Sequence, residues 1–216
     1  MTYDELSIDQ LIINRGYREN VLGDKFSLYI SNYPCNAKYL LSRIGNPNHT
    51  LAELCCSVGI TLEYLAPGFK HVIGVDIDQE VLHSCHVNLT NAGYQEKFKL
   101  IEGDVFDNEL LKGIEADVVI YDIPYWYSHE QENQGDLLSK NPPLKELIDK
   151  ITKYITPNII IFSPVELSYE YYYENLGTIE YEQVMIDGKH NRNQIYLGEL
   201  IQTEGTTQIN LNSTNL

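Results

Sequence analysis

The sequence predicts an α/β protein whose doubly wound, mostly parallel sheet ends in an antiparallel hairpin. Apolar runs alternate with helical patterns between residues 50 and 163, and three of these runs end in an acidic or glycine-containing turn. A strand–helix–strand order requires parallel strands joined by right-handed crossovers. Two last apolar runs flank a polar, glycine-containing stretch, as the two strands of a hairpin do.

Residues 1–45 are predicted to form an N-terminal, partly helical extension. A weak helical pattern lies near residues 8–14, and a stronger one over 35–44 follows Pro34, which suits a first helical turn. Cationic side chains outnumber acidic ones from residue 14 to 45; they are Arg15, Arg18, Lys25, Lys38 and Arg43. Two interpretations stay open, an ordinary solvated surface or a basic face that meets a phosphate backbone.

Residues 46–201 are predicted to form one domain with a Rossmann-like order of elements. The predicted strands are 51–56, 71–75, 98–102, 117–121 and 158–163. The predicted helices are 60–65, 79–91, 108–113, a helix running to Tyr154, and a short aromatic one over 168–174. The hairpin runs are 178–186 and 194–201, on either side of 187–192. The tail, 202–216, is polar and rich in Thr and Asn, which predicts disorder.

Three turns at the predicted carboxyl edge of the sheet place polar groups where open α/β sheets bind ligands. The first turn ends at Gly59, where a missing side chain lets the backbone approach a ligand. In the second, Asp76 can accept two hydrogen bonds from a ribose diol. In the third, Asp104 can accept one from an adenine amino group. These turns predict a nucleoside pocket, which also takes in Glu53, Cys55, Ser57, Ile77 and Gly103.

The absence of phosphate-binding motifs restricts the class of ligand. The chain has neither Gly-x-Gly-x-x-Gly nor a glycine-rich loop with Lys and Ser or Thr, which polyphosphates require. Glu53, before the first turn, suits an ammonium group and repels a phosphate. S-adenosylmethionine, a nucleoside that carries an amino acid, fits this combination best.

The stretch Asp-Ile-Pro-Tyr at 122–125 follows the fourth predicted strand and predicts a site for methylating an exocyclic amine. The lone pair of such an amine is delocalised into the ring, so acceptors that hold its protons and a stacking aromatic ring favour the reaction. Asp122 and the Ile123 carbonyl supply acceptors, and Tyr125 supplies the ring, with Pro124 between them. A strand that ends in an ordinary proline turn remains the alternative.

These motifs resemble those of known methyltransferases. The stretch 53–59 resembles the first motif of class I S-adenosylmethionine-dependent methyltransferases, with Ser57 in place of the first glycine; a non-glycine residue at positive φ costs about 1 to 2 kcal/mol. The stretch 122–125 resembles the Asp/Asn/Ser-Pro-Pro-Tyr/Trp motif of base amino-methyltransferases, with Ile123 replacing a proline. With the closing run 189–201, the chain resembles the trimethylguanosine synthase family of RNA cap guanine-N2 methyltransferases.

The resemblance implies a class I methyltransferase acting on guanine N2 of RNA, without a metal. It implies that Glu53, Gly59, Asp76 and Asp104 hold S-adenosylmethionine, and that Asp122, Pro124 and Tyr125 form the amine site. RNA is expected to meet the basic N-terminal segment. Two alternatives stay open: a methyltransferase for another amine in a protein or small molecule, and a non-catalytic cofactor-binding module with a degenerate site.

Composition sets further limits. The formal charge of −16 on 216 residues opposes binding to a polyanion, because nucleic-acid affinity depends on cations that neutralise phosphates. The chain has no apolar run of bilayer length and no signal-peptide pattern at its start, so a cytoplasmic location is expected. Its four cysteines lack metal-ligand spacing and are expected to be reduced and mostly buried.

Overall fold

A computed structural model of the protein describes residues 5–124 and 144–213. Its strands are β1 (Asn46–Leu54), β2 (Phe69–Asp76), β3 (Phe98–Glu102), β4 (Val118–Asp122), β5 (Ile159–Ser163), β6 (Glu180–Ile186), β7 (Lys189–Tyr196) and β8 (Gly205–Leu211). Its α-helices are α1 (Ile8–Arg15), α2 (Lys25–Ile30), α3 (Pro34–Ile44), α4 (Ile60–Leu65), α5 (Gln79–Asn91), α6 (Asn108–Lys112), α7 (Leu144–Tyr154) and α8 (Tyr169–Leu176). Short 3₁₀ turns occupy Ala66–Gly68 and Gly198–Leu200.

The eight strands form one sheet in the order β3-β2-β1-β4-β5-β7-β6-β8. Strands β1 to β5 are parallel to one another, whereas β7 is antiparallel to both β5 and β6. The strand order reverses direction between β1 and β4, the point at which doubly wound sheets open a ligand crevice. The predicted fold class is confirmed.

Both faces of the parallel part of the sheet are buried, as is typical of strands covered by helices on two sides. One face packs against α3, α4 and α5, and the other packs against α6, α7 and α8. In β1, Leu51 belongs to the first apolar layer, and Ala52 and Leu54 belong to the second. The alternation along each strand therefore fixes which polar side chains at the carboxyl edge share a face.

The N-terminal segment packs beside the carboxyl edge of the sheet. Tyr17 and Leu28 join Val58 and Ile60 in a small apolar cluster, and the Tyr17 hydroxyl donates to the carbonyls of Leu28 and Ser31. Helix α2 was not predicted. It starts because Asp24 caps it, accepting from the backbone N–H groups two and three residues later.

The predicted hairpin is present, but its loop and its second strand, predicted over 194–201, are misplaced. Its turn is the pair Asp187–Gly188, both at positive φ, and β7 begins at once at Lys189. An Asp-Gly pair favours a two-residue turn whose twist matches that of the strands, so the predicted loop 187–192 was too long. The true boundaries place Arg192 inside a strand.

The predicted disorder of the tail 202–216 is wrong for residues 205–211, which form β8 in parallel with β6. The carboxylate of Glu180 accepts hydrogen bonds from the N–H groups of Gln202 and Thr203, at 2.7 and 3.0 Å, and holds the chain against the sheet. Backbone pairing, which a polar composition does not reveal, orders this strand.

The interpretation of a basic N-terminal face is wrong for Arg43 and Arg18. The buried Arg43 guanidinium donates to Glu180 at 2.6 Å and lies 3.6 Å from Glu182. Arg18 pairs with Glu63 and also donates to a backbone carbonyl. Internal carboxylates neutralise both charges, so neither residue adds to a positive outer surface.

Within the described part of the chain, no helix has both the length and the apolar character needed to cross a membrane. All four cysteines are free thiols.

Candidate active site

A cavity of about 360 Å³ opens at the carboxyl ends of β1, β2, β3 and β4. Most of the predicted site residues line it: Glu53, Cys55, Ser57, Asp76, Ile77, Gly103, Asp104, Asp122 and Pro124. Tyr125 lies outside the described residues. Three predicted turns therefore converge on one cavity with Asp122, the carboxylate at the end of β4.

The first turn holds strained backbone. Cys55 and Ser57 have φ of 63° and 48°, a region that costs a non-glycine residue about 1 to 2 kcal/mol. The Ser57 N–H donates to Asp76 Oδ2 at 2.9 Å, and the Cys56 N–H donates to the Val75 carbonyl. These bonds tie the turn after β1 to the end of β2, so the serine keeps the backbone conformation that a glycine would adopt more easily.

Gly59, which is predicted to hold the cofactor, has a packing role in the structure. It is not among the described residues that line the cavity, and its N–H donates to the Cys56 carbonyl rather than to a ligand. Its φ is +78°, and a Cβ built on it would collide with Cys85 Sγ on α5. Glycine is needed here because α5 packs directly against the start of α4.

Asp76 joins the first and second turns. Its Oδ1 accepts from the Asp78 N–H at 3.1 Å, and its Oδ2 accepts from Ser57. Each oxygen retains a second lone pair that a ligand hydroxyl can use. Burial raises the pKa of this carboxyl, against the lowering effect of the backbone N–H donors.

Glu53 is a buried carboxyl that contacts no cationic side chain among the residues that the structure describes. It is 2 % exposed, and its Oε2 has no hydrogen-bond partner among the described residues. Burial raises its pKa well above the usual range, and the negative charge of Asp122 adds to the rise, whereas the Thr61 hydroxyl and Arg192 oppose it. A cationic group in the cavity would relieve this cost.

Asp122 ends β4 on the same sheet face as Glu53. Burial raises its pKa to about 6, Asp76 adds to the rise, and Arg192 opposes it. Arg192 Nη1 lies 3.9 Å from Asp122 Oδ2, which is longer than a direct hydrogen bond. At neutral pH the carboxyl is mostly ionised and can accept hydrogen bonds.

The sequence analysis missed one wall of the cavity. This wall comes from α2 and the residues on either side of it, namely Asp24, Phe26, Ser27, Ile30, Ser31 and Asn32. The capping aspartate before an apolar run was a local signal for α2. Contact with the cavity depends on tertiary packing, which no local pattern reveals.

Asn32 is held in one orientation by a chain of amides. Gln194 Nε2 donates to Asn36 Oδ1 at 2.6 Å, and Asn36 Nδ2 donates to Asn32 Oδ1 at 2.8 Å. Asn32 is 1 % exposed, and its Nδ2 has no partner within the described ranges. The site therefore has a fixed donor as well as its carboxylates.

The donor set fits S-adenosylmethionine. Six carboxyls line the cavity, those of Asp24, Glu53, Asp76, Asp78, Asp104 and Asp122, and no Lys, Arg or His is among its described lining residues. Such a cavity favours a ligand with ammonium and sulfonium charges and disfavours a phosphate. In the described ranges, no three His, Cys, Asp or Glu side chains are grouped so as to hold a metal ion.

Comparison with known proteins places the chain in a family. Residues 60–192, more than half of the chain, match the family model described as an RMKL-like methyltransferase domain. A curated relative is the rRNA N(6)-adenosine-methyltransferase metl-5 of Caenorhabditis elegans, 34 % identical over 68 residues. That match covers 31 % of this chain and 32 % of the relative, so the chain spans about a third of its length.

Solved structures share the fold at low identity. A putative methyltransferase from Porphyromonas gingivalis W83 has a TM-score of 0.65 at 15 % identity, over 83 % of this chain and 43 % of that one. A putative SAM-dependent methyltransferase from Streptococcus mutans has a TM-score of 0.61 at 15 % identity, over 77 % and 49 %. The family match shows that the chain belongs to the RMKL-like methyltransferase domain family, and the solved structures share its fold.

Proposed function

We propose that the protein transfers a methyl group to an exocyclic amine of a base in RNA. The observation that carries the proposal is Asp122, a largely buried carboxylate at the end of β4, on the wall of the cofactor cavity and next to Pro124. A carboxylate in this position accepts hydrogen bonds from an amine and orients its lone pair.

The cavity residues have distinct proposed roles. Glu53 faces the cofactor's ammonium, Asp76 accepts from the ribose hydroxyls, and Asp104 accepts from the adenine amino group, with Cys55, Ser57, Ile77 and Gly103 forming the surrounding wall. The support is that these side chains line one cavity and that Glu53 has an unpartnered oxygen. Tyr125 keeps its proposed role of stacking on the base.

The reaction forms a C–N bond and breaks a C–S bond. When bound, S-adenosylmethionine supplies an electrophilic methyl group on a sulfonium. Asp122 holds the amine in line for attack on the methyl group. The methylated amine then loses one proton, either to the Asp122 carboxylate or directly to solvent. Since the pKa of Asp122 is raised to about 6, its carboxylate is a better proton acceptor than an ordinary aspartate and is still ionised at neutral pH.

Two acceptor atoms fit the proposal. Guanine N2 is the acceptor implied by the resemblance to the trimethylguanosine synthase family. Adenine N6 is favoured by the similarity to metl-5, which is named as an rRNA N(6)-adenosine methyltransferase. Both acceptors require the same arrangement, an amine held by a carboxylate beside the methyl donor.

Transfer of a labelled methyl group tests the proposal. The protein is incubated with methyl-labelled S-adenosylmethionine and, separately, with total RNA, protein and small-molecule extracts. The RNA is then digested to nucleosides and separated by chromatography with mass detection. The expected product is an N-methylated purine nucleoside, lost in the Asp122→Ala variant. Label confined to protein or small molecules, or equal transfer by the variant, would contradict it.

A further inference from the structure

Arg192 lies on β7 and reaches toward the cofactor cavity. Phe162 of β5 pairs with Asp122 of β4 on one side and with Gln194 of β7 on the other. Arg192 lies two residues from Gln194 and therefore points to the same face of the sheet. Its guanidinium lies 4.8 Å from the centre of the Phe162 ring, with Nη1 3.9 Å from Asp122 Oδ2.

Two nitrogens of the Arg192 guanidinium are buried without hydrogen bonds to the part of the chain that the structure describes. The residue is 8 % exposed, and Nε and Nη1 have no acceptor among the described residues. A buried donor left unpaired costs about 1 to 3 kcal/mol, and more when it is charged. Arg43, the other buried arginine in this layer, donates through Nη2 to Glu180 and to the Leu200 carbonyl. Arg192 makes no such bond through Nε or Nη1 to the described residues.

Asp122 and Arg192 together form an acceptor and a donor that a single group can bridge. They are too far apart to bond directly, yet close enough for one ligand that has a donor next to an acceptor. Nucleobase edges have this pattern: adenine N6 lies beside N1 and N7, guanine N2 lies beside N3, and cytosine N4 lies beside its own N3. A lysine ammonium offers only donors, and the charge of Arg192 repels it.

We propose that Arg192 is a specificity-determining residue that donates a hydrogen bond to the base acceptor beside the reacting amine while Asp122 accepts from that amine. The proposal rests on the proposed function and deepens it. The pair selects an aromatic amidine edge over the amines of proteins and small metabolites. The base also supplies an acceptor for Arg192 Nη1, which has none among the described residues.

The test compares Arg192→Gln and Arg192→Lys with native protein, and uses Lys112→Gln as the control. Lys112 is an exposed cation on α6 that pairs with Glu109, so its loss removes one charge away from the cavity. The probes are total RNA and, once the labelled site has been mapped, a short RNA that contains it. The readouts are kcat and KM for RNA and the calorimetric affinity for S-adenosylmethionine.

Arg192→Gln is expected to lower kcat/KM for RNA by about 10- to 100-fold, the range for a hydrogen bond from a charged donor. Arg192→Lys, which keeps the charge, is expected to lose less, and Lys112→Gln is expected to match native protein. Affinity for S-adenosylmethionine should hold in all three. Equal kcat/KM for Arg192→Gln and native protein would overturn the inference, and so would an equal loss of cofactor affinity, which indicates a purely structural counter-ion.

Deaza analogues of the target base show which ring nitrogen accepts the hydrogen bond from Arg192. In the short RNA, the target is replaced by 1-deaza- or 7-deazaadenosine if adenine is methylated, or by 3-deazaguanosine if guanine is. One analogue should reduce the native rate but leave the already lowered rate of Arg192→Gln unchanged. If every analogue reduces both proteins equally, the inference fails while the proposed function stands. Absence of RNA methylation by native protein would overturn the proposed function, and the inference with it.

Discussion

Replacing Asp122 with asparagine should make the protein more stable and less active. The pKa of this carboxyl is raised from about 3.8 to about 6, because its charged form is desolvated. Such a difference corresponds to about 3 kcal/mol of destabilisation by the charge at pH above 7. The neutral amide has the same shape and no charge. Since a fifth of the Asp122 side chain is exposed and Arg192 loses its counter-charge, we expect a net gain of about 1 to 3 kcal/mol.

The raised pKa of Asp122 predicts how the stability gain of Asp122→Asn depends on pH. A carboxyl whose folded-state pKa is raised destabilises the protein above that pKa, and the penalty disappears as the pH falls toward the unfolded-state value. The advantage of Asp122→Asn should therefore shrink by about half between about pH 7.5 and pH 5. Urea unfolding, followed by circular dichroism at both pH values, measures the difference in the free energy of unfolding. The control is Asp149→Asn, a matched substitution at an exposed position on α7.

The methyl-transfer activity of Asp122→Asn should fall although its stability rises. An amide oxygen is a weaker acceptor than a carboxylate and cannot take the departing proton, so methyl transfer should fall by about 100-fold or more. In native protein, kcat/KM should decline below about pH 6 as Asp122 is protonated. An asparagine variant that is less stable at both pH values, or a stability gap independent of pH, would refute the reasoning.

Three further predictions follow from single side chains. Gly59→Ala should lower the free energy of unfolding in urea by about 3 kcal/mol or more. Gly93→Ala has a similar φ of +86° but no atoms near a new Cβ, so it should lower that free energy by only about 1 to 2 kcal/mol. Adding Cys85→Ala to Gly59→Ala should recover part of the loss. Glu53→Gln should weaken S-adenosylmethionine binding about tenfold in calorimetry but leave methylthioadenosine, which lacks the ammonium, unaffected; equal losses would contradict the role of Glu53. Arg43→Met should cost about 3 to 5 kcal/mol in urea unfolding because two buried glutamates lose their partner, while folded protein still binds the cofactor; a neutral effect would refute this.

The sequence predicted the parts of the site that depend on strand order. The order of apolar runs places Asp76, Asp104 and Asp122 at the carboxyl ends of parallel strands, and parallel topology then brings those ends together. The same logic did not reveal the packing of Gly59 against Cys85, because a glycine required for packing looks identical in sequence to one that faces a ligand.

The parts that sequence reasoning missed depend on contacts between distant segments. Asn36 orients Asn32 at the cavity, and Gln194 in turn holds Asn36. Gln194 lies more than 150 positions further along the chain. The tail was expected to be disordered because its side chains are polar, yet its backbone bonds to β6. Arg192 was read as part of a hairpin loop, and only the two-residue turn before it moves it into β7.

A crystal structure with S-adenosylhomocysteine tests the central claim most directly. We expect the ribose hydroxyls to bond to Asp76, the ammonium to lie beside Glu53, and the sulfur to face the space next to Asp122 and Pro124. A product bound with its sulfur turned away from Asp122, or outside the cavity at the ends of β1, β2, β3 and β4, would contradict the account.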